Sequence, residues 1–287
     1  MGCWCSITNT KNLNMKIQDV AVLVGHGEAC AGRVHAAAIF CHHFDAHLTG
    51  VYSATLLSSA VGRYNVGTLP KDITALLKAR AQEHCDEAEA SFVQTLKQTA
   101  VSGEFRSVDD SIVDALAAQS RFTDLLIAPY RFIDQSSADS RYQVADLLLS
   151  AASPVLLIAE FTPTISLPLT RVLLGWDGSR ECARALSAAL PVMVDVQRVD
   201  VVCVASNNAR SADIATHLKR HGIDAAVHEI EGARTNAGSV LLESAEKFDS
   251  QLLIMGAYGH SRLRESVLGG ATKHVLENAQ LPVIFAH

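Results

Sequence analysis

Apolar residues in this chain come in short unbroken runs, and longer segments with apolar residues every three or four positions separate them. In the second half, Arg171–Trp176 reads as a buried strand, and Ser179 is placed to cap a helix running to about Val194. Val199–Ala205 is the next strand, followed by a helix over Ala209–His221 that Gly222 ends. Ala225–Ile230 and Leu252–Met255 are strands on either side of a helix over Asn236–Phe248. A last helix, Gly270–Ala279, leads to a last strand, Pro282–Ala286. The first half reads likewise, with a longer second helix over about Lys71–Thr99, rich in Ala, Glu and Gln. Continuous apolar strands alternating with helices predict an α/β fold, its parallel sheet covered on both faces.

The two halves are one unit written twice. "VLVGHGEACAGRVHAAA" (Val22 to Ala38) lies under "VLLGWDGSRECARALSAAL" (Val172 to Leu190), which sets Gly27 where Asp177 stands. "DLLIAPYRF" (from Asp124) lies under "QLLIMGAYG" (from Gln251), and Pro154 and Pro282 open the last strand of each half. The expected organisation is a first domain over 15–159, a linker over 160–170 carrying two prolines, and a second domain over 171–287. Right-handed crossovers place a ligand crevice outside the carboxyl ends of the strands, where the strand order reverses. The segments there are the turns after the first and fourth strands, "WDGS" and "GAYGHSRLRESVLGGATK" in the second half.

Gly256 follows a strand directly, Gly259 comes three residues later, and Gly269 and Gly270 precede a helix. Glycines let backbone amides come close to an anion, and a helix start aims free amides and partial positive charge at it. Thr272 adds a hydroxyl in the first turn and Lys273 a charge, so the segment reads as a phosphate cradle rather than a merely tight loop. It is not a Walker A motif, since no G-x-x-x-x-G-K-[ST] occurs. Asp177 ends the first strand of that half, where a carboxylate accepts hydrogen bonds from a ribose or base edge or simply caps a turn.

Gly256-x2-Gly259-x9-Gly269 with "GGATKHVLENAQLPV" behind it resembles the nucleotide loop of the universal stress protein family. "LLGWDGSRECARAL" resembles that family's first strand and helix. The resemblance covers nearly the whole chain, strong in the second half and weak in the first. It implies two tandem Rossmann-like domains, each a five-stranded parallel sheet flanked by helices, in a fold shared with adenine nucleotide alpha hydrolases. Many members bind ATP or AMP, so an adenine nucleotide is implied (ATP first, AMP or ADP otherwise), with Mg²⁺ able to accompany the phosphates. By position, Asp177 would face the adenine, Val204 would line the base pocket, and Met255 and Gly256 would sit beside the ribose. Gly259, Gly269, Gly270, Ala271 and Thr272 would hold phosphates. Gly270 departs from the family, which has Ser or Thr there, so one phosphate-binding hydroxyl is lost while the amide stays. The family also pairs domains along the last strand, which implies a pseudo-dimer within one chain; association of two chains, and the protein partner that reads the surface, stay open.

The first half lacks this machinery. Pro129 stands where Gly256 does, and no glycine occurs from Ile127 to Leu148. Nucleotide binding of the family's kind is therefore expected of the second half alone.

Composition narrows the function further. The 287 residues are 49% apolar and 19% charged, with a net charge of −6 and no basic face, which argues against a nucleic-acid partner. No apolar run reaches the roughly 18 residues that span a membrane, and a cytoplasmic location is expected. The seven cysteines form no ligand framework and are read as small residues of a reducing compartment. Gly2 and Ser6 match a myristoylation pattern; the alternatives are a start at Met15 or a loose extension over the first 14 residues. "VGHGEAC" has Cys30 in the third glycine position of a dinucleotide fingerprint, and no acidic residue ends the next strand. In "CHHFDAH", His43 and His47 share a face only if the helix continues, so solvated histidines at a helix end are expected. His260 next to Ser261 is adjacency, not a dyad, and the arginines of "SRLRES" either balance phosphate or face water. With no nucleophile elbow or assignable triad, the expectation is a regulatory nucleotide binder with at most slow hydrolysis; the alternatives are a nucleotide-free scaffold or interaction protein of the same fold and a weak ATP hydrolase.

Overall fold

The structure, a computed structural model, describes residues 16–25, 27–54, 71–132, 140–159, 165–204, 211–231, 236–258 and 269–287. In the first half, β1 (Asp19–Val24), α1 (Glu28–Phe44), β2 (His47–Ser53), α2 (Lys71–Thr99), β3 (Gly103–Val108), α3 (Ile112–Gln119), β4 (Leu125–Pro129), α4 (Ser140–Ser150) and β5 (Val155–Ile158) follow one another. In the second come β6 (Arg171–Gly175), α5 (Arg180–Ala189), β7 (Arg198–Val204), α6 (Ser211–Arg220), β8 (Ala225–Ile230), α7 (Ala237–Lys247), β9 (Leu252–Gly256), α8 (Gly270–Asn278) and β10 (Val283–Ala286). These are the elements the apolar pattern predicts, with ends moved by a residue or two. The helix expected to reach Val194 stops earlier, at Ala189, because Pro191 supplies no amide, and a 3₁₀ turn over Leu190–Val192 takes its place.

The strands form one ten-stranded sheet in the order β3-β2-β1-β4-β5-β10-β9-β6-β7-β8. Every neighbouring pair is parallel except β5 and β10, which run antiparallel. At that seam Ile284 faces Leu156, Val283 faces Leu157 and Phe285 faces Val155. Leu126 donates to the carbonyl of Pro154 as Leu253 does to that of Pro282, so the two prolines are equivalent in the fold. Leu156 and Ile284 are therefore the same position of the repeat, meeting across an approximate two-fold axis. The implied pairing along the last strands is thus present within the chain.

Side chains alternate along the strands and build two cores. One face carries α1, α2, α5 and α6, with Phe40, Phe92, Leu186 and Leu218 packed on Val22, Leu174 and Val201. The other carries α3, α4, α7 and α8, with Leu116, Leu147, Leu241 and Val275 packed on Leu126, Leu173 and Leu253. Both cores cross the seam, one through Leu156 and Ile284 and the other through Val155, Leu157, Val283 and Phe285. Ile165 and Leu169, within the expected linker, are buried against the first of them. Further ties are polar: Tyr130 Oη donates to the carbonyl of Leu281 at 2.7 Å, and His43 Nε2 meets Asp195 Oδ2 at 2.9 Å. His43, expected to be solvated, is exposed at the end of α1, and from there it reaches the other half. Asp45, in the left-handed conformation, stops α1, so His43 and His47 share no helical face.

Hydrogen bonds also fix how the halves superpose. Asp124 donates to Asp19 as Gln251 does to Arg171, and Ala31 to Gly27 as Ala183 does to Ser179. The sequence pairing of Gly27 with Asp177 is thereby corrected by two residues. Gly25 stands at the place of Asp177, and Gly27 at the place of the helix cap Ser179.

Truncating the seam tests this joint. Leu156→Ala should lower stability by about 2–5 kcal/mol, the usual result of emptying a buried leucine site. Followed by Trp176 fluorescence in a chain with Trp4 replaced by Phe, the transition of the second half should move with it; an unmoved Trp176 signal would mean that the halves unfold separately.

Candidate functional site

In the second half the strand order reverses between β9 and β6, and parallel pairing brings the carboxyl ends of β6, β7 and β9 to one edge. Four of the described helices start at that edge, α5, α6, α7 and α8. The turn from β6 into α5 is "WDGS". Gly178 takes φ +75°, which side chains resist, and this lets Asp177 Oδ1 accept from the Ser179 amide at 2.9 Å. Ser179 Oγ in turn accepts from the Cys182 amide at 3.2 Å and caps α5. Asp177 therefore shapes the turn as well as standing at the crevice. Its charge is also felt by the neighbouring thiols. Burial pushes Cys182 up to about 12, the charge of Asp177 adding to it. Burial likewise pushes Cys203 up to about 11, with Glu229 and Asp177 contributing. Both are inert thiols under neutral conditions.

Val204 ends β7 and Met255 lies one residue before the end of β9, both buried in the core that α7 and α8 cover. Gly256 closes β9 under the first turn of α5. A Cβ there would lie 2.6 Å from the Cys182 nitrogen and 2.7 Å from the Glu181 carbonyl carbon, so helix–strand packing alone demands glycine. Gly269 is different. It precedes α8 with φ −53°, which any residue adopts, and among the described residues a Cβ built on it meets nothing within 4 Å. Neither its conformation nor its packing against the described residues asks for glycine at this position. Having no side chain, Gly269 leaves the first-turn amides of α8 uncapped from the N-cap position. Gly270 is exposed, Ala271 half-buried and Lys273 exposed. Thr272 is buried, on the inward face of α8 with Val275 and Leu276. The first turn of α8 is held close to α7, since a Cβ on Gly238 would touch the Ala271 carbonyl oxygen at 2.7 Å. Gly259, His260 and the arginines of "SRLRES" lie outside the described residues.

The sequence reading passed over Glu181. It is buried in the first turn of α5 against Gly256, and Arg180 donates to its Oε1 through Nη2 at 2.8 Å and Nε at 3.1 Å. Burial opposes its charge, yet its own backbone amide and Arg180 outweigh that and hold the carboxyl below the ordinary 4.5. An acidic residue in a helix's first turn is the signal that would have pointed to it. Asp200 was also missed, because it sits in an apolar strand. It is 1% exposed and accepts at Oδ1 from Arg198 and His228, each at 2.7 Å, well below the crevice edge.

The corresponding edge of the first half has other contents. Pro129 replaces Gly256, Gly25 replaces Asp177, and Ser53, at the end of β2, donates its hydroxyl proton to the Asp110 carbonyl at 2.6 Å. Among the described residues, no group of three His, Cys, Asp or Glu side chains is arranged to hold a metal ion. No described helix is long and apolar enough to cross a membrane.

Comparison with known proteins agrees with this geometry. Residues 206–287 match the universal stress protein family. Universal stress protein Slr1230 of a Synechocystis strain is 30% identical over 131 residues, 43% of this chain, and the match spans only 44% of that relative's length. A universal stress protein of known structure from Archaeoglobus fulgidus DSM 4304 superposes over 96% of this chain and 98% of its own, with a TM-score of 0.71 at 17% identity. A Pseudomonas aeruginosa PAO1 protein of unknown function does so over 96% and 94%, with a TM-score of 0.57 at 16% identity. These two likenesses concern the fold.

Two substitutions separate packing from binding at this edge. Gly256→Ala should cost about 1–3 kcal/mol in thermal or urea denaturation, because backbone of α5 must give way. Glu181→Gln should destabilise the chain at pH 7. A carboxyl held low stabilises above its unfolded value and loses that contribution as pH falls through the folded one. The difference from the unaltered chain should therefore close below pH 4.5; a gap that stays constant with pH would assign the effect to packing.

Proposed function

We propose that the chain is a member of the universal stress protein family, which its residues 206–287 match, and that the crevice between β6 and β9 binds an adenine nucleotide, ATP in the first instance. Gly269 carries this reading. A glycine that neither its conformation nor the described residues around it require, at a helix start with no side-chain cap, is what close approach of a phosphate calls for. In this reading the amides of Gly269, Gly270 and Ala271 hold phosphate, with Gly259 and the Thr272 hydroxyl as further partners. Asp177 accepts from the adenine or ribose, Val204 lines the base, and Met255 and Gly256 flank the sugar. Mg²⁺ would be carried by the phosphate oxygens. Gly270 offers no hydroxyl, so binding is weaker than with Ser or Thr there. The role is regulatory, in a stress response: a bound nucleotide favours one arrangement of the crevice edge, and a protein partner reads that surface. Among the described residues no side chain is placed as a general base, and in this reading hydrolysis is at most slow. We assign the nucleotide site to residues 171–287 and a degenerate one to 15–159.

A nucleotide-free interaction protein of the same fold is the second reading. It draws on Gly256, whose glycine is explained by packing against α5 alone.

Calorimetric titration of the full chain with ATP, ADP and AMP distinguishes them. ATP should bind, and Gly269→Val should weaken it by the worth of a charged hydrogen bond, about 1.5–3 kcal/mol or roughly 10- to 150-fold, with the melting temperature unchanged. Asp177→Ala should weaken all three nucleotides alike. Absence of binding at millimolar nucleotide would leave the second reading standing.

A further inference from the structure

The repeat supplies an internal control for a second chemistry, in the first half and apart from the nucleotide crevice. Cys30 in α1 and Cys182 in α5 are the same position of the repeated unit, three residues after Gly27 and Ser179. Both are buried, and neither is in a disulfide. In the second half Cys182 Sγ donates to the Gly175 carbonyl at 3.3 Å, and its proton is held tightly. In the first half the carbonyl at that place belongs to Leu23, and Arg33 takes it through Nε at 3.0 Å. Arg33 occupies the position that Ala185 has in α5. Its other arm, Nη2, donates to Cys30 Sγ at 2.6 Å.

The same sulfur position is thus a donor in one half and an acceptor in the other. At Cys30 it accepts from a guanidinium that is itself only 3% exposed. The first-turn amides of α1 add partial positive charge from the helix start. A cation and a helix N-terminus beside one sulfur favour the thiolate, the nucleophilic form. The surroundings carry two more groups. Tyr52, on β2, lies in register between Val24 and Ser107, and Cys85 Sγ donates to Ser107 Oγ at 3.5 Å. Burial raises the Tyr52 phenol, and the charges of Cys85 and Cys30 raise it further. Cys30 therefore belongs to a cluster of two thiols, a phenol and an arginine at the carboxyl ends of β1 to β3.

We propose that Cys30 is an oxidation site for small hydroperoxides, with Arg33 as its positioning residue. The thiolate attacks one peroxide oxygen. An S–O bond forms as the O–O bond breaks, two electrons pass from sulfur to the peroxide, and the departing hydroxide or alkoxide takes a proton from water. The product is Cys30 sulfenic acid. An exposure of 7% at Cys30 suits an oxidant as small as hydrogen peroxide and excludes a protein thiol.

The experiment is brief hydrogen peroxide treatment of the intact full chain, removal of the peroxide with catalase, and unfolding in denaturant that contains dimedone, so that the label reaches buried sulfenic acids, followed by peptide mass spectrometry. Cys30 should be labelled at least tenfold faster than Cys182, its equivalent. Arg33→Met, with the fold checked by circular dichroism, should bring the two rates within twofold. The ratio in the unaltered chain decides by itself if that variant does not fold. Rates within twofold there, or labelling confined to Cys85, would overturn the proposal.

Discussion

The antiparallel contact between β5 and β10 is the constraint on which the rest of this molecule depends. Each half is a parallel sheet whose last strand would otherwise present unpaired amides and carbonyls at an edge. Setting Leu156 against Ile284 closes both edges with a single ladder and makes ten strands continuous. The burial follows from the ladder. Each core has members on both sides of the seam, so neither half finishes its apolar interior alone. The first half is therefore required as the other flank of the second half's frame.

On that common frame, side-chain exchange at a few equivalent positions gives the two edges different chemistry. Asp177 becomes Gly25, Gly256 becomes Pro129, and Ala185 becomes Arg33. The first two exchanges remove an acceptor and an amide from the crevice. The third brings a buried guanidinium against the sulfur of Cys30, where the second half has a thiol donating to a carbonyl. Glycines also divide by cause. Gly256 is fixed by the first turn of α5, while a Cβ on Gly269 would meet nothing within 4 Å among the described residues.

The order of strands and helices, the doubling of the unit and the edge at which a ligand would bind were legible in the apolar periodicity and in a few punctuating residues. Ser179, Gly222 and the paired Pro154 and Pro282 mark element ends by local backbone chemistry, which neighbouring residues express without help from the fold. The register between halves was less legible. Sequence similarity set Gly27 against Asp177, and only the ladders show Gly25 there, because apolar runs slide over one another without penalty in a string of letters. Asp200 and Arg33 were not legible at all, and Glu181 only through its place in a helix's first turn. Each is a charged residue held in the interior by partners chosen in three dimensions: Arg180 for Glu181, Arg198 and His228 for Asp200, Leu23 and Cys30 for Arg33.

The sequence by itself thus determined what each segment becomes, since helix, strand and turn preferences and the alternation of apolar positions act within a few residues of one another. The tertiary structure alone decided which equivalent residues face each other, which glycines are demanded by packing, and where buried charges find partners. Those outcomes depend on distances between segments far apart in the chain, and it is the closed sheet that sets them.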